Sequence, residues 1–166
     1  KPSIIDVGTG TGAIAIALSK ELNLPVYASD ISPKAIEVAR KNVEKTDSKV
    51  SLLLGDMLKP YIDKNIKVDI LVSNPPYIRE DEKIEKIVKD NEPEIALYAP
   101  NNGLFYYEEI LKNASKVLNN KFLIAFEIGE KQAFDVEKLA HKYLKDVKVE
   151  IKKDLSDKNR FVFVYN

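Results

Sequence analysis

The sequence predicts an α/β protein with a Rossmann-like, seven-stranded, mostly parallel sheet, helices on both faces and a C-terminal antiparallel hairpin. Three observations predict this class. Short apolar runs alternate with helical patterns, a glycine-rich turn follows the first apolar run, and no helix separates the last two runs. Strands that alternate with helices favour a parallel sheet, because each crossover helix returns the chain to the same end of the sheet. A direct connection favours an antiparallel pair.

Seven segments have the apolar composition of strands, and four have the composition of helices. The strands are predicted at 3–7, 26–29, 50–54, 68–73, 122–128, 147–152 and 161–165. The helices are predicted at 13–22, 33–45, 103–118 and 131–144. Ser32 and Pro33 mark the start of the second helix, because serine caps a helix N-terminus and proline is tolerated at its first position. The irregular segment 75–102 is long for a connection in a compact domain, which is typical of a functional loop.

The composition of the 166 residues narrows the possible functions. The 26 basic and 26 acidic residues balance, so no global charge attracts nucleic acid or an anionic membrane. Cysteine is absent and His141 is the single histidine, which excludes disulfides and thiolate zinc sites and leaves few metal ligands. No apolar run approaches the roughly 20 residues of a membrane span. We therefore expect a cytoplasmic monomer that holds no metal.

Three glycines lie between the first strand and the first helix, in the sequence DVGTGTGAIA. Glycines let the backbone come close to a ligand, and the N-terminus of the following helix offers N–H groups and a partial positive charge. Gly8, Gly10 and the following alanine fit the dinucleotide pattern G-x-G-x-x-G/A. The additional Gly12 and the hydroxyls of Thr9 and Thr11 fit an uncharged or zwitterionic ligand equally well.

Two further strands end near acidic residues. Asp30 ends the second strand, where a carboxylate can accept hydrogen bonds from both hydroxyls of a ribose. The next residue, Ile31, either lies against a purine face or packs beneath the following helix. After the third strand, Asp56 either accepts from an adenine amino group or caps the next segment, and Met57 can present its backbone N–H to the ring. An adenosine-containing ligand is indicated, with NAD and S-adenosylmethionine both open.

The fourth strand is followed by Asn74, Pro75, Pro76 and Tyr77. This motif helps to decide between NAD and S-adenosylmethionine. The carboxyl ends of parallel strands border the ligand crevice. Because prolines fix the backbone and lack an N–H group, the Asn74 side-chain oxygen and the Pro75 carbonyl form two fixed acceptors. They can hold both hydrogens of a planar NH₂ group, with Tyr77 as an aromatic wall. Such a site favours methylation of a conjugated nitrogen over hydride transfer.

The motifs, taken in order, resemble a known family over essentially the whole chain. They are DVGTGTGAIAIAL, SDISPKAIEVARKN, GDM, VSNPPYI, the EP and AL of NEPEIALY, NGLFYYEEIL and FEIGEKQ. This set resembles the Class I S-adenosylmethionine-dependent methyltransferases, and within them the HemK or PrmC family of release factor glutamine methyltransferases. The resemblance implies methylation of the side-chain amide nitrogen of the glutamine in the Gly-Gly-Gln loop of peptide chain release factors, with S-adenosylhomocysteine as product and a role in translation termination.

The resemblance also assigns residues to roles. In that family Asn74 and Pro75 would hold the substrate amide, and Pro76 and Tyr77 would wall the pocket; these four are the expected catalytic residues. The expected donor-binding residues are Asp6, Gly8, Thr9, Gly10, Thr11, Gly12, Asp30, Ile31, Asp56, Met57 and Asn74. Residues 1–166 are expected to form the catalytic domain, without the family's N-terminal helical domain.

Two other functions stay open at this point. The NPPY motif also serves methyltransferases of exocyclic amines in DNA or RNA, whose nitrogens are planar and conjugated too. The segment 79–94, beside the expected substrate mouth, has four basic and seven acidic residues, and its net charge of −3 would repel a phosphate backbone. Release factors are therefore the favoured partners, without direct binding to nucleic acid or membrane. The other alternative is a non-catalytic module that binds an adenosine ligand whatever residue stands at position 74.

Overall fold

The computed structural model describes residues 1–77 and 99–166. The charged segment 79–94 and most of the irregular segment 75–102 lie outside the described residues. The strands are β1 Ile4–Val7, β2 Val26–Asp30, β3 Val50–Leu54, β4 Val68–Ser73, β5 Leu118–Glu127, β6 Lys148–Lys153 and β7 Asn159–Tyr165. The α-helices are α1 Ala13–Leu22, α2 Pro33–Thr46, α3 Lys59–Asp63, α4 Phe105–Asn113 and α5 Ala133–Tyr143.

The seven strands form one sheet in the order β3-β2-β1-β4-β5-β7-β6. The strands from β1 to β5 pair in parallel, whereas β7 runs antiparallel to both of its neighbours, β5 and β6. This arrangement confirms the predicted fold class and the C-terminal hairpin. The chain moves outward from β1 to β3 in one direction and from β4 onward in the other, so the strand order reverses between β1 and β4.

Hydrophobic residues cover both faces of this sheet. Ile5 belongs to the larger buried cluster, which includes side chains of α3, α4 and α5, whereas the adjacent Ile4 belongs to a smaller cluster with Ala15 of α1. Successive side chains of a strand point to opposite faces, so the two clusters lie on opposite sides of the sheet. Both faces are therefore occupied by packing, which leaves the ends of the strands as the place for a ligand.

Most element bounds lie within two residues of the sequence prediction, and the larger differences occur at two places. The helix predicted at 103–118 ends at Asn113 and continues as a 3₁₀ turn, Ala114–Lys116, after which Leu118 already pairs with Val68 in the sheet. The short helix α3 was not predicted, because five residues that include Pro60 carry little helical pattern. Its Tyr61 is fully buried, so packing stabilises this turn. Among the described residues, no helix is long and apolar enough to cross a membrane.

Candidate active site

The sheet brings four sequence-predicted groups to one edge. The glycine loop follows β1, Asp30 ends β2, Asp56 follows β3 and Asn74 follows β4. These four strands are adjacent and parallel, so their carboxyl ends lie side by side. The reversal of strand order between β1 and β4 is where open α/β sheets form a ligand crevice. The glycine loop and Asn74 stand on its two sides.

A side-chain hydrogen bond joins the two strands that border this crevice. Val7 and Ser73 are register partners at the ends of β1 and β4, and both are buried. The Ser73 hydroxyl donates to the Val7 carbonyl oxygen over 2.7 Å. A buried hydrogen bond of this length resists separation of the two strand ends. The spacing between the glycine loop and Asn74 is thereby fixed by the sheet.

Four backbone N–H groups of the glycine loop already donate hydrogen bonds within the protein. The N–H groups of Gly8 and Thr9 both donate to the Ser29 carbonyl, over 2.9 and 2.8 Å, and the Gly12 N–H donates to the Thr9 carbonyl over 2.9 Å. The Gly10 N–H is also engaged, by the Asp30 carboxylate. A pyrophosphate group is normally held by free N–H groups in such a loop. The loop therefore favours a ligand without phosphates at this position.

The three glycines of the loop have different surroundings, although each has a positive φ, between 56° and 81°. A Cβ atom at Gly8 or Gly10 would meet no protein atom within 4 Å, whereas one at Gly12 would lie 3.3 Å from the Ala39 Cβ of α2. Gly12 therefore serves the packing of α1 against α2. Gly8 and Gly10 border open space, into which a ligand can approach the backbone.

Asp6, at the third position of β1, is a buried carboxylate, 1% exposed. Burial raises its pKa to about 6, which the Thr9 hydroxyl, 2.6 Å away, and the Ala15 backbone only partly oppose. Its Oδ1 atom has no hydrogen-bond partner of good geometry among the described residues. A buried carboxylate oxygen without a partner favours a ligand that carries positive charge or N–H donors. The ammonium and sulfonium groups of S-adenosylmethionine fit that requirement.

Asp30 is half-buried, and both of its carboxylate oxygens accept backbone hydrogen bonds. Oδ2 accepts from Gly10 over 2.8 Å, and Oδ1 accepts from Ser32 over 2.9 Å. Each carboxylate oxygen has a second lone pair, so these bonds are compatible with acceptance from two ribose hydroxyls. The neighbouring Ile31 is 53% exposed, which matches a surface for a flat ring better than packing beneath α2.

The remaining donor-side residues lie further along the same edge. Asp56 is exposed, and Met57 is half-buried with a positive φ of 41°. Both line a depression of about 230 Å³ that Ile62 and Glu109 also border. The exposed Thr11 is held through its carbonyl oxygen, which accepts from the Asn42 side chain over 2.9 Å. An adenine beyond β3, in contact with Asp56 and Met57, stays a prediction.

The NPPY segment is partly anchored in the protein. Asn74 is exposed, Pro75 is buried, and Pro76 and Tyr77 are half-buried. Tyr77 packs against the larger hydrophobic cluster. The buried Pro75 and the half-buried Pro76 and Tyr77 thus hold the segment, while Asn74 is exposed.

Gln132 holds the end of this segment, although its sequence context predicts no role for it. Its Nε2 donates to the Tyr77 carbonyl oxygen over 2.9 Å. It lies within the motif FEIGEKQ and is the single glutamine of the chain. A lone polar residue next to a predicted helix start reads as a surface residue, so only its burial in the structure shows its importance.

Comparison with known proteins identifies the family. The methyltransferase small domain family matches residues 1–136. The release factor glutamine methyltransferase of Bacillus subtilis (strain 168) is 41% identical over 165 residues, covering 98% of this chain and 57% of that protein. The same-named protein of Staphylococcus aureus is 39% identical over 163 residues, covering 96% of this chain and 59% of that protein. The chain thus spans less than two thirds of the length of these curated relatives.

Solved structures show the fold. A methyltransferase from Pyrococcus furiosus superposes with a TM-score of 0.74 at 20% identity, over 99% of this chain and 74% of that one. A ribosomal protein L11 methylase from Lactobacillus delbrueckii gives 0.69 at 18% identity, over 99% and 68%. A 16S rRNA methyltransferase from T. thermophilus gives 0.68 at 14% identity, over 99% and 37%. Because these names include protein and RNA methylases, the fold does not decide the substrate. The chain belongs to the methyltransferase small domain family and is related over nearly its whole length to release factor glutamine methyltransferases.

Proposed function

We propose that this protein transfers a methyl group from S-adenosylmethionine to the side-chain amide nitrogen of the glutamine in the Gly-Gly-Gln loop of peptide chain release factors. The observation that carries the proposal is the exposed Asn74 side chain on an anchored Pro-Pro segment, across the β1/β4 crevice from the glycine loop. The names of the curated relatives support the substrate class.

The donor is held by groups of different polarity along the crevice. Asp6 offers a buried carboxylate to its cationic end, and the open backbone at Gly8 and Gly10 permits close approach. Asp30 accepts from the ribose hydroxyls while it holds the loop. Ile31 lies against the adenine, and Asp56 accepts from its amino group. When bound, S-adenosylmethionine supplies an electrophilic methyl group on its sulfonium sulfur.

On the substrate side, the chain acts chiefly by orientation. The Asn74 side-chain oxygen and the Pro75 carbonyl each accept one hydrogen of the glutamine NH₂ group, which fixes the plane of the amide. Two acceptors on these hydrogens increase electron density on the nitrogen, whose lone pair is otherwise delocalised into the carbonyl. Pro76 and the Tyr77 ring confine the amide from the sides. Orientation of this kind supplies several orders of magnitude in rate.

No strong base is required for the proton that leaves the alkylated nitrogen. An amide nitrogen that has gained a methyl group is a strong acid, and a carbonyl oxygen or water can accept its proton. This agrees with the single histidine: His141 lies in α5 and is exposed. The two acceptors already in contact with the nitrogen hydrogens are placed to accept the proton first.

Methylation of an exocyclic amine in RNA or DNA is the second candidate function. The same two acceptors hold any planar NH₂ group, and a 16S rRNA methyltransferase shares the fold. The charge of −3 in segment 79–94 argues against this alternative, because nucleic acid binding depends strongly on phosphate contacts. This charge therefore favours a protein substrate; cytoplasmic location and a monomeric state stay predictions.

The test uses the full-length protein with donor labelled on the methyl group. It is incubated in parallel with release factors, with a release factor whose Gly-Gly-Gln glutamine is replaced by alanine, with total RNA and with genomic DNA. The proposal expects label in the intact release factor alone. Label in nucleic acid, or equal label in the alanine-substituted release factor, would overturn it. Donor binding without transfer to any of the four would favour the non-catalytic adenosine-binding module.

A further inference from the structure

Gln132 connects three segments that are distant in sequence. Its Nε2 donates to the Tyr77 carbonyl over 2.9 Å, and also to the carbonyls of Gly103 over 3.2 Å and Asn102 over 3.4 Å. Its Oε1 accepts from the Gly129 N–H over 2.9 Å. The side chain is 9% exposed. One amide thus joins the end of the NPPY segment, the turn before α4 and the turn before α5.

Gly103 fits closely against the same group of atoms. Its φ of +80° is one that side chains rarely adopt. A Cβ atom at this position would collide with the Tyr77 carbonyl oxygen and with Gln132 Nε2. The turn before α4 therefore approaches the NPPY segment so closely that only glycine fits. The Tyr77 carbonyl is enclosed on two sides, by the Gln132 amide and by the Gly103 backbone.

The hydrogen bonds of Gln132 hold the backbone close to Asn74, the residue expected to orient the substrate nitrogen. Tyr77 is three residues from Asn74, and the two prolines between them fix their φ angles. Because fewer backbone angles can rotate between them, a shift of the Tyr77 carbonyl should displace the Pro75 carbonyl and the Asn74 side chain more than it would through a flexible segment. Glutamine is suited to this task because one amide offers two N–H donors and an acceptor with no net charge.

We propose that Gln132 is a positioning residue for methyl transfer: by holding the Tyr77 carbonyl, it sets the direction in which Asn74 and Pro75 present their acceptors to the substrate nitrogen. This inference rests on the proposed function. It differs from a purely structural role, because misdirected acceptors slow the transfer step even when the protein is folded and the donor is bound. A displacement of about 1 Å in such a site reduces the rate by about 10²-fold.

The test compares two variants of the full-length protein. Gln132→Glu keeps an acceptor for the Gly129 N–H but replaces the donor that faces the Tyr77 carbonyl. Glu130→Ala changes the same turn at an exposed side chain that pairs with Lys158 over 3.3 Å. The measurements are kcat and KM with a release factor, the donor Kd by calorimetry and the midpoint of thermal unfolding.

For Gln132→Glu we expect kcat to fall by about 10- to 100-fold, with the donor Kd within about twofold of the unchanged protein. Glu130→Ala is expected to keep kcat within about twofold. An unchanged kcat in folded Gln132→Glu, a rise in KM alone, or an equal loss in Glu130→Ala would each overturn the proposal.

A second measurement needs no activity and no variant. Because Gln132 is the single glutamine of the chain, selective ¹⁵N labelling gives one glutamine side-chain NH₂ signal. Once this signal is identified, a uniformly ¹⁵N-labelled sample allows comparison with the exposed Asn120 side chain. We expect the Gln132 hydrogens to exchange at least about tenfold more slowly than those of Asn120, because buried hydrogen bonds protect amides. Exchange as fast as at Asn120 would contradict the inference. If release factors are not methylated but this protection is seen, the proposed function fails and the contact stands.

Discussion

The backbone N–H of Gly10 donates to Oδ2 of Asp30 over 2.8 Å, so the carboxylate expected to hold a ribose also holds the glycine loop in shape. The other oxygen, Oδ1, accepts from Ser32 at the start of α2 over 2.9 Å. Asp30 therefore connects the loop after β1 with the helix after β2. A ligand that uses the remaining lone pairs of this carboxylate binds to a group whose orientation is already fixed.

Replacing Asp30 by asparagine tests this double role. The amide keeps one oxygen acceptor, and its NH₂ group faces a backbone N–H donor. We expect the Kd for S-adenosylmethionine to rise at least about tenfold. The free energy of unfolding should fall by about 1–2 kcal/mol, because a partly buried hydrogen bond to a charged group is lost. Calorimetry and urea unfolding measure the two effects. Asp63→Asn, at the exposed end of α3, is the control; equal donor affinity in both variants would refute the ribose assignment.

Alanine at Gly8 should mainly reduce donor affinity, and alanine at Gly12 should mainly reduce stability. Both positions have positive φ, so each substitution costs roughly 1–2 kcal/mol of backbone strain. In Gly12→Ala the new Cβ atom would lie 3.3 Å from the Ala39 Cβ, which is closer than an ordinary contact. This variant should therefore lose more stability. Gly8→Ala projects its methyl group into the open space of the crevice and should reduce donor affinity more, by at least about tenfold. Calorimetry measures the donor affinity of each variant, and urea unfolding measures its stability. If the loss of affinity relative to the loss of stability were the same in the two variants, the assignment of Gly8 to the ligand and of Gly12 to packing would be wrong.

The buried Asp6 makes stability depend on pH in a defined direction. Its pKa is about 6 in the folded protein against an ordinary value of 3.8, so the unfolded chain loses this proton first as pH rises. The contribution of Asp6 should therefore lower the free energy of unfolding between about pH 4 and 6, by about 3 kcal/mol in total.

Comparison with Asp6→Asn isolates this effect from the other titrating groups. Urea unfolding is measured for both proteins from about pH 4 to pH 7. The difference in stability between them should shift in favour of the asparagine variant as pH rises through this window, and stay constant above it. A difference that does not change with pH would show that Asp6 keeps an ordinary pKa.

Much of the fold could be predicted from local sequence pattern. The bounds of α1, β3 and β4 agree with the prediction, because Gly12, the apolar runs and Asn74 mark their ends clearly. The early start of β5 at Leu118 could not be predicted. Leu118 is buried and pairs with Val68, but the next three residues, 119–121, are exposed and polar and give no strand pattern.

The position of a candidate residue at the crevice was predictable where the residue follows a strand end, and the contacts between distant segments were not. Asp30 and Asn74 stand at strand ends, so the topology alone brings them to the crevice. The roles of Gln132 and Gly103 depend on contacts between segments 25 or more residues from Tyr77 in sequence. Such contacts leave no periodic pattern in a single sequence, so the anchoring of the NPPY segment required the structure.

We propose that Asn74 chiefly orients the substrate nitrogen and contributes only a little to donor affinity and to the stability of the fold. The most direct measurement is kcat of the full-length Asn74→Ala variant with a release factor, beside its donor Kd. Asn120→Ala, an exposed position in the first half of β5, is the matched control. We predict a fall in kcat of about 10²-fold or more, with donor affinity within a few-fold and the control unchanged. Turnover equal to that of the control would contradict the account.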